Sequence, residues 1–151
     1  MERVAILRND AIKSYKSANY IIGVTYPMLQ DTRLFLAITT HLHNSAVKAM
    51  DALLYHLYYH KELSVVPMEF ITRYEIFKKI YKNYSIPESS FKVIRELKTV
   101  LNNHKTSSME FKRNSKLIIS NDTYQFIALD IELLKEYSKH VKELLRVVSQ
   151  L

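Results

Sequence analysis

The chain has 151 residues, the length of one ordinary domain, and its 22 lysines and arginines outnumber 15 acidic residues to give a formal net charge of +7. The absence of cysteine excludes disulfides, thiolate metal ligands and a thiol nucleophile, and one glycine with three prolines are too few for the turns of an all-β fold. With neither a signal-peptide core nor a membrane-length apolar run, the sequence predicts a cytoplasmic helical protein without a membrane partner, whose charge favours polyanions.

The first predicted helix is capped by Asn9 or Asp10, because an apolar stripe with helical spacing follows these residues. This helix is predicted to end near Gly23. Proline disfavours helix in the residue before it, so Pro27 predicts a short connection at this point. The alternative is that Pro27 only kinks a continuing helix.

A second and much longer helix, from Asp31 to Glu62, contains neither glycine nor proline and is predicted to be the centre of the fold. Asp31 and Thr32 offer side-chain oxygens for its N-cap, and such a helix is roughly 45 Å long. Small residues in its middle allow another backbone to approach closely. Its buried face is predicted from the apolar and small residues that recur every three or four positions, at Leu34, Ile38, Leu42, Ser45, Ala49, Leu53 and Leu57.

Two shorter helices are predicted over residues 68–84 and from Ser85 to about Asn103. The first has a basic outer face. The second begins at a capping box, because Ser85 and Glu88 have the spacing at which each side chain can bond to the other residue's backbone amide.

The segment of about 104–120 is predicted to be the irregular loop of the fold, since its first half is polar and poor in helix-forming residues. Within it, Lys116–Ser120 is short and rich in β-branched residues, which indicates an extended piece.

A last helix is predicted to begin at a cap formed by Ser120, Asn121 and Asp122 and to run to about Ser149. Its buried stripe starts with Phe126 and Leu129. Together these elements predict an all-α fold, a four- or five-helix up-and-down bundle that forms one domain over residues 1–151.

Positive charge is concentrated in the segment 92–116, which carries +5 of the chain's formal charge of +7. A basic helix end that runs into a loop of hydroxyl and amide donors can hold phosphates. The alternative is a solvated face that only keeps the protein soluble. The basic residues of this segment are Lys92, Arg95, Lys98, Lys105, Lys112, Arg113 and Lys116.

His56 and His60 lie four residues apart, a spacing that places both on one helical face within reach of one metal ion. Position 57 is leucine, so the glutamate of a zincin motif is missing, and no third ligand is evident. We therefore expect these histidines to pack at the end of the bundle rather than to bind a metal.

Three tyrosines on the same helix end can stack on nucleic-acid bases or pack between helices. Because they point around more than half of the helix, we expect at least one to be exposed and one to be buried. They are Tyr55, Tyr58 and Tyr59.

The order of these elements resembles the HEPN superfamily from about residue 10 to 148. The resemblance rests on a first helix of the type Ala-x3-Tyr-x2-Ala, on a long second helix that ends in Ala-Leu-Leu, and on a leucine-rich helix that leads into a polar turn with a histidine. The residues concerned are Ala11, Tyr15, Ala18, Ala52, Leu53, Leu54 and His104. The resemblance implies a four- or five-helix bundle that commonly dimerises, and in active members a metal-independent ribonuclease.

The working motif of that superfamily is an arginine, usually followed by a polar residue, with a histidine after four to six intervening positions. His104 stands where the histidine falls, but Arg95 lies eight intervening residues upstream, which is roughly 13 Å of helix rise. Only Lys98 lies in the expected window, and lysine lacks the planar fork of arginine.

We therefore expect a binding module rather than an enzyme, with RNA or a partner protein as ligand and no cofactor. The alternatives are a metal-independent endoribonuclease that uses His104, with Lys98 or Arg95 as its cation, and a bundle that binds only protein. The predicted anion-binding residues are Arg95, Lys98, His104, Lys105, Lys112 and Arg113.

Overall fold

A computed structural model describes residues 1–121, 123 and 125–151. In that part of the chain, five helices of more than ten residues are accompanied by a small antiparallel sheet. The predicted helical fold is therefore confirmed in part, since the fold is mainly α and not strictly all-α. No helix in the described ranges is long and apolar enough to cross a membrane. The helices are α1 (Glu2–Tyr20), α2 (Tyr26–Leu29), α3 (Leu34–Tyr59), α4 (Phe70–Ile80), α5 (Glu88–Lys105) and α6 (Ile131–Val148), and the strands are β1 (Met109–Arg113), β2 (Lys116–Ser120) and β3 (Phe126–Leu129).

Helix α3 is the centre of the core, as predicted, and α1, α4, α5 and α6 all pack against it. Its small residues admit α1 closely, because Ala11 of α1 is fully buried and the Ser45 hydroxyl donates to the Ala11 carbonyl oxygen at 2.7 Å. The predicted stripe is buried from Ile38 to Leu57, while Leu34 at the helix start is half-buried.

The first helix is longer than predicted at both ends. It begins at Glu2 rather than at Asn9 or Asp10, because Val4 and Leu7 extend its apolar face onto the core. It also passes Gly23 in a π-helical turn, Ile21–Thr25, in which each amide reaches back one residue further than in an α-helix. This turn leads directly into α2, whose first turn holds Pro27, a residue that has no N–H to donate to the turn before it. The alternative of a continuing helix was therefore the right one.

Two predicted caps are absent. The Asp31 carboxylate binds the backbone amide and the guanidinium of Arg33, and α3 begins only at Leu34. Ser85 has a left-handed φ of 57° and closes a 3-10 turn after α4, while α5 begins at Glu88 without a side-chain cap. The rigid extended backbone of Pro87 separates Ser85 from the helix that it was expected to cap.

The segment predicted to be irregular, about 104–120, contains the hairpin β1–β2 instead. Asn114 and Ser115 have positive φ values of 51° and 63°. A two-residue hairpin turn needs positive φ at both positions if it is to match the twist of its strands. Arg113 then pairs with Lys116 across the turn. The extended conformation predicted for Lys116–Ser120 is confirmed as β2.

The last helix starts later than predicted, at Ile131. Its N-cap is Asp130, whose carboxylate accepts the Leu133 amide at 2.8 Å. Phe126 and Leu129, expected in the helix stripe, belong to β3, where alternating residues face opposite sides of the sheet. The predicted cap residue Asp122 lies outside the described residues.

The order of the sheet is β1-β2-β3, and one of its faces packs on the helices. Leu117, Ile119 and Leu129 on that face are buried, whereas most of the other face is turned to solvent. On this second face Ser120 is buried and Ile118 is half-buried. The sheet thus follows α5 directly, and β2 contacts that helix.

Candidate functional site

The candidate site is a groove between α4 and α5 on the basic side of the molecule. Helix α5 buries Phe91, Ile94 and Leu97 against the core, so the residues between them in the helical repeat face outward. Lys92 and Arg95 are exposed on this side, and they form a row along the helix.

Two adjoining cavities open along this groove. The larger one, about 530 Å³, lies between α4, α5, β3 and α6, and the smaller one, about 250 Å³, lies further along α4 and α5. Both are lined by Tyr74, Glu75, Arg95 and Thr99, so they share one wall. The larger cavity has a volume typical of ligand sites.

The floor of the groove is a stack of aromatic rings. Tyr74 stacks on Phe91 with ring centroids 4.8 Å apart, and Phe91 stacks on Tyr81 at 4.5 Å. The Tyr74 hydroxyl donates to the Phe91 carbonyl oxygen at 3.1 Å, and burial raises the pKa of Tyr74 to about 12. This floor is therefore fixed in position and uncharged at neutral pH.

Cations outnumber carboxylates around the groove. Arg95 belongs to both cavities, and the Lys98 ammonium lies 3.8 Å from the centroid of the Phe70 ring, a cation–π contact. Burial lowers the pKa of Lys98, and the charges of Arg73 and Lys105 lower it further. The rim of the two cavities carries Lys78, Lys92, Arg95 and Lys98 against Glu75 and Glu96.

The structure does not bring the remaining predicted basic residues into this groove. Lys105 lies at the exposed end of α5. Lys112 and Arg113 are neighbours on β1 and therefore point to opposite faces of the sheet. Hydrogen bonds from Arg33 lower the pKa of the Asp31 carboxyl, and the charge of Lys112 lowers it slightly further. Lys116 lies 3.9 Å from the Asp130 carboxylate.

His104 is turned away from the groove and bound to the hairpin. Its Nδ1 makes a short hydrogen bond to the Glu110 carboxylate of β1, which also accepts the Ser107 hydroxyl at 3.0 Å. Since α5 continues unbroken to Lys105, Arg95 lies about two and a half turns before His104, on the opposite side of the helix. Lys98 is engaged with Phe70 instead.

His56 and His60 lie together, as their spacing predicted, with ring centroids 4.2 Å apart. The His60 Nδ1 bonds to the His56 carbonyl oxygen at 2.9 Å, which uses one of the nitrogens that a metal would need. Among the described residues, no group of three or more potential ligands surrounds either ring.

The three tyrosines at the end of α3 contact one another. Tyr58 and Tyr59 are exposed, as expected for at least one of them, whereas Tyr55 is only half-buried. The Arg3 guanidinium covers the Tyr55 ring at 4.4 Å from its centroid, so the most buried of the three is not free to stack on a base.

Sequence reasoning missed several residues that lie at the groove. Tyr137 of α6 and Ile127 of β3 line the larger cavity. His43 of α3 lies behind the smaller one, with its ring centroid 6.4 Å from that of Phe70. Its Nε2 is buried without a hydrogen bond to any described residue, and burial, with the charges of Lys98 and Lys105, lowers its pKa to about 4. A histidine next to the apolar stripe of the central helix was the available signal.

Comparison with known proteins adds no assignment to this geometry. No protein-family model, curated protein or solved structure matches the chain.

Proposed function

We propose that the chain is a non-catalytic helical module that binds single-stranded RNA in the groove between α4 and α5. The observation that carries this proposal is the position of Arg95 in the wall shared by two aromatic-lined cavities. A guanidinium there can hold a phosphate while bases enter on either side of it. In this proposal the chain is a HEPN-like bundle that binds RNA and does not cleave it.

The chemistry of the groove fits a single strand better than a duplex. Single strands are held by cations that follow the backbone and by aromatic or apolar surfaces that accept unstacked bases. The groove offers both, because the cations lie at its rim and an apolar surface that includes Val100, Ile127 and Tyr137 lines the larger cavity. The Tyr74 ring is stacked between Phe70 and Phe91, so it supports this surface and does not itself stack on a base. A duplex keeps its bases stacked and cannot use that interior.

The test is the affinity for a fluorescein-labelled oligouridylate of about 12 nucleotides, measured by anisotropy over a series of salt concentrations. Changing Arg95→Ala and Lys98→Ala together is expected to weaken binding, and to flatten the slope of log affinity against log salt by about 1.4 if each residue contacts one phosphate. The matched control is Lys13→Ala with Lys16→Ala, which removes the same charge from the exposed side of α1.

An equal loss in both double variants would show that only net charge matters, and the groove would not be the site. A wild-type protein that ignores RNA at low salt would contradict the proposal and favour a module that binds only protein.

One observation favours a second candidate, a metal-independent endoribonuclease. The Glu110 carboxylate on Nδ1 of His104 fixes the ring and leaves Nε2 as its remaining site for proton transfer, an arrangement typical of a general base. RNA cleaved in the presence of EDTA by the wild type, but not by His104→Ala and only weakly by Glu110→Gln, would support this candidate. Intact RNA at saturating protein would exclude it and agree with binding alone.

A further inference from the structure

The solvent face of the small sheet exposes an aromatic and aliphatic surface that the groove does not include. Phe126 is 63% exposed, Met109 59% and Phe111 38%, values far above those of apolar residues in a packed sheet. The strand register places them on one face together with Ile118 and Ala128. We call these five residues the sheet platform.

Positive charge borders the platform at one end. Arg113 and Lys116 pair across the hairpin turn and share the platform's face, one row beyond Phe111 and Ile118. The Glu110 carboxylate points to the other face, where it binds His104, and Asp130 lies 3.9 Å from the Lys116 ammonium. The platform therefore joins apolar rings to a cationic end. The carboxylate that the described residues place near this end, Asp130, already caps α6.

The register also fixes the dimensions. Phe111 and Phe126 lie two strands apart and one row apart, which is a separation of roughly 12 Å. Two rings at that distance can each accept a base of one extended strand, with the nucleotide between them passing over Ile118. The platform lies close to the end of α5, because residues 106–108 alone separate α5 from β1.

We infer that the sheet platform stacks bases of single-stranded RNA, with Arg113 holding the adjacent phosphate. This inference rests on the proposed function and adds the site that stacks on the bases of the same ligand. Aromatic rings next to cations are how proteins hold unpaired bases without reading their sequence. A single strand suits this surface, because the rings of the platform are uncharged and can stack on bases. The cations lie at one end of the platform, where they can bind a phosphate.

The test uses the exposed rings, which can be removed without disturbing the core. Phe111→Ala and Phe126→Ala are each expected to weaken binding of the labelled oligouridylate about tenfold, within the range measured for stacking on one aromatic ring. The salt slope should stay unchanged, since no charge is removed. Tyr20→Ala, which removes another exposed ring from α1, is the matched control and should leave binding unchanged.

A second pair of variants separates the two faces of β1. Arg113→Ala should weaken binding and flatten the salt slope by about 0.7, whereas Lys112→Ala, on the opposite face, should leave that slope as in the wild type. If both changed the slope equally, the assignment of one face would be wrong.

The remaining outcomes distinguish the sheet platform from the groove between α4 and α5. Phenylalanine variants that bind RNA like the wild type, while the Arg95 and Lys98 double variant does not, would overturn the platform and leave the proposed function standing. A wild type that binds no RNA would overturn both. A wild-type dimer in sedimentation that Phe126→Ala turns into a monomer with unchanged RNA binding would show that a second copy covers the platform.

Discussion

His43 is a half-buried base whose protonation the fold opposes, and it gives a sharp test of the core beneath the groove. Burial, with the charges of Lys98 and Lys105, lowers its pKa from 6.5 to about 4. The unfolded chain therefore binds this proton more readily than the folded one. The free energy of unfolding should then fall as the pH falls from about 6.5 to about 4, and this residue should contribute no pH dependence above that window.

The magnitude follows from the size of the shift. One pKa unit corresponds to about 1.4 kcal/mol, so at about pH 5 the protonation of the unfolded chain removes up to about 2 kcal/mol of stability. The His43 ring is partly exposed, and solvent screening reduces this figure to about 1 kcal/mol. In a domain of this length, that is a measurable part of the total stability.

The assay is urea unfolding of the wild type and of His43→Leu at about pH 7.5 and about pH 5. The wild type should lose about 1 kcal/mol more than the variant between these two conditions. Changed packing against Phe70 is present at both pH values and cancels, and so does the titration of His56, whose pKa burial also lowers. Equal losses in the two proteins would refute the reasoning.

Three further substitutions test individual elements by urea unfolding at neutral pH. Asp130→Ala removes the cap of α6 and should cost about 1 kcal/mol, and an unchanged stability would mean that the cap is dispensable. Ser115→Gly relieves a positive φ at the hairpin turn and should add about 0.5–1 kcal/mol, which a loss would contradict. Ala11→Leu forces a larger side chain between α1 and α3 at Ser45 and should cost at least about 1–3 kcal/mol, whereas tolerance would show that the helices can move apart.

The central helix could be predicted from the sequence because its signal is redundant. Seven positions at helical spacing, the lack of glycine and proline, and a run of small residues all indicate the same buried spine. The close approach of α1 at Ser45 follows from that run as well. Its ends were less well predicted, because Asp31 uses its carboxylate on Arg33 rather than on the helix.

The sheet was largely missed because its evidence is local and weak. Phe126 and Leu129 have a spacing of three, which fits a helix as well as a strand. Asn114 and Ser115 adopt a turn for which Asn-Gly is the preferred sequence. Because serine stands in the place of glycine, the sequence does not indicate this turn. Only the pairing of three short strands, a property of the folded chain, decides between the alternatives.

The candidate site was predicted in part. The basic character of α5 follows from the sequence, but a cluster of charge in one segment does not show which side chains share a surface. Lys112 and Arg113 are adjacent in the chain and lie on opposite faces of β1. The aromatic floor and Tyr137 come from elements that are distant in sequence, so only their packing reveals the cavity.

The most direct test of the proposed RNA groove is a nuclear magnetic resonance titration of the isotope-labelled protein with the unlabelled oligouridylate. We expect the amide resonances of α5 around Lys92, Arg95 and Thr99 to shift in a saturable way, together with those of α4 around Tyr74, while those of the exposed face of α1 stay unchanged. Shifts confined to α1, or no shifts at low salt, would contradict the proposal.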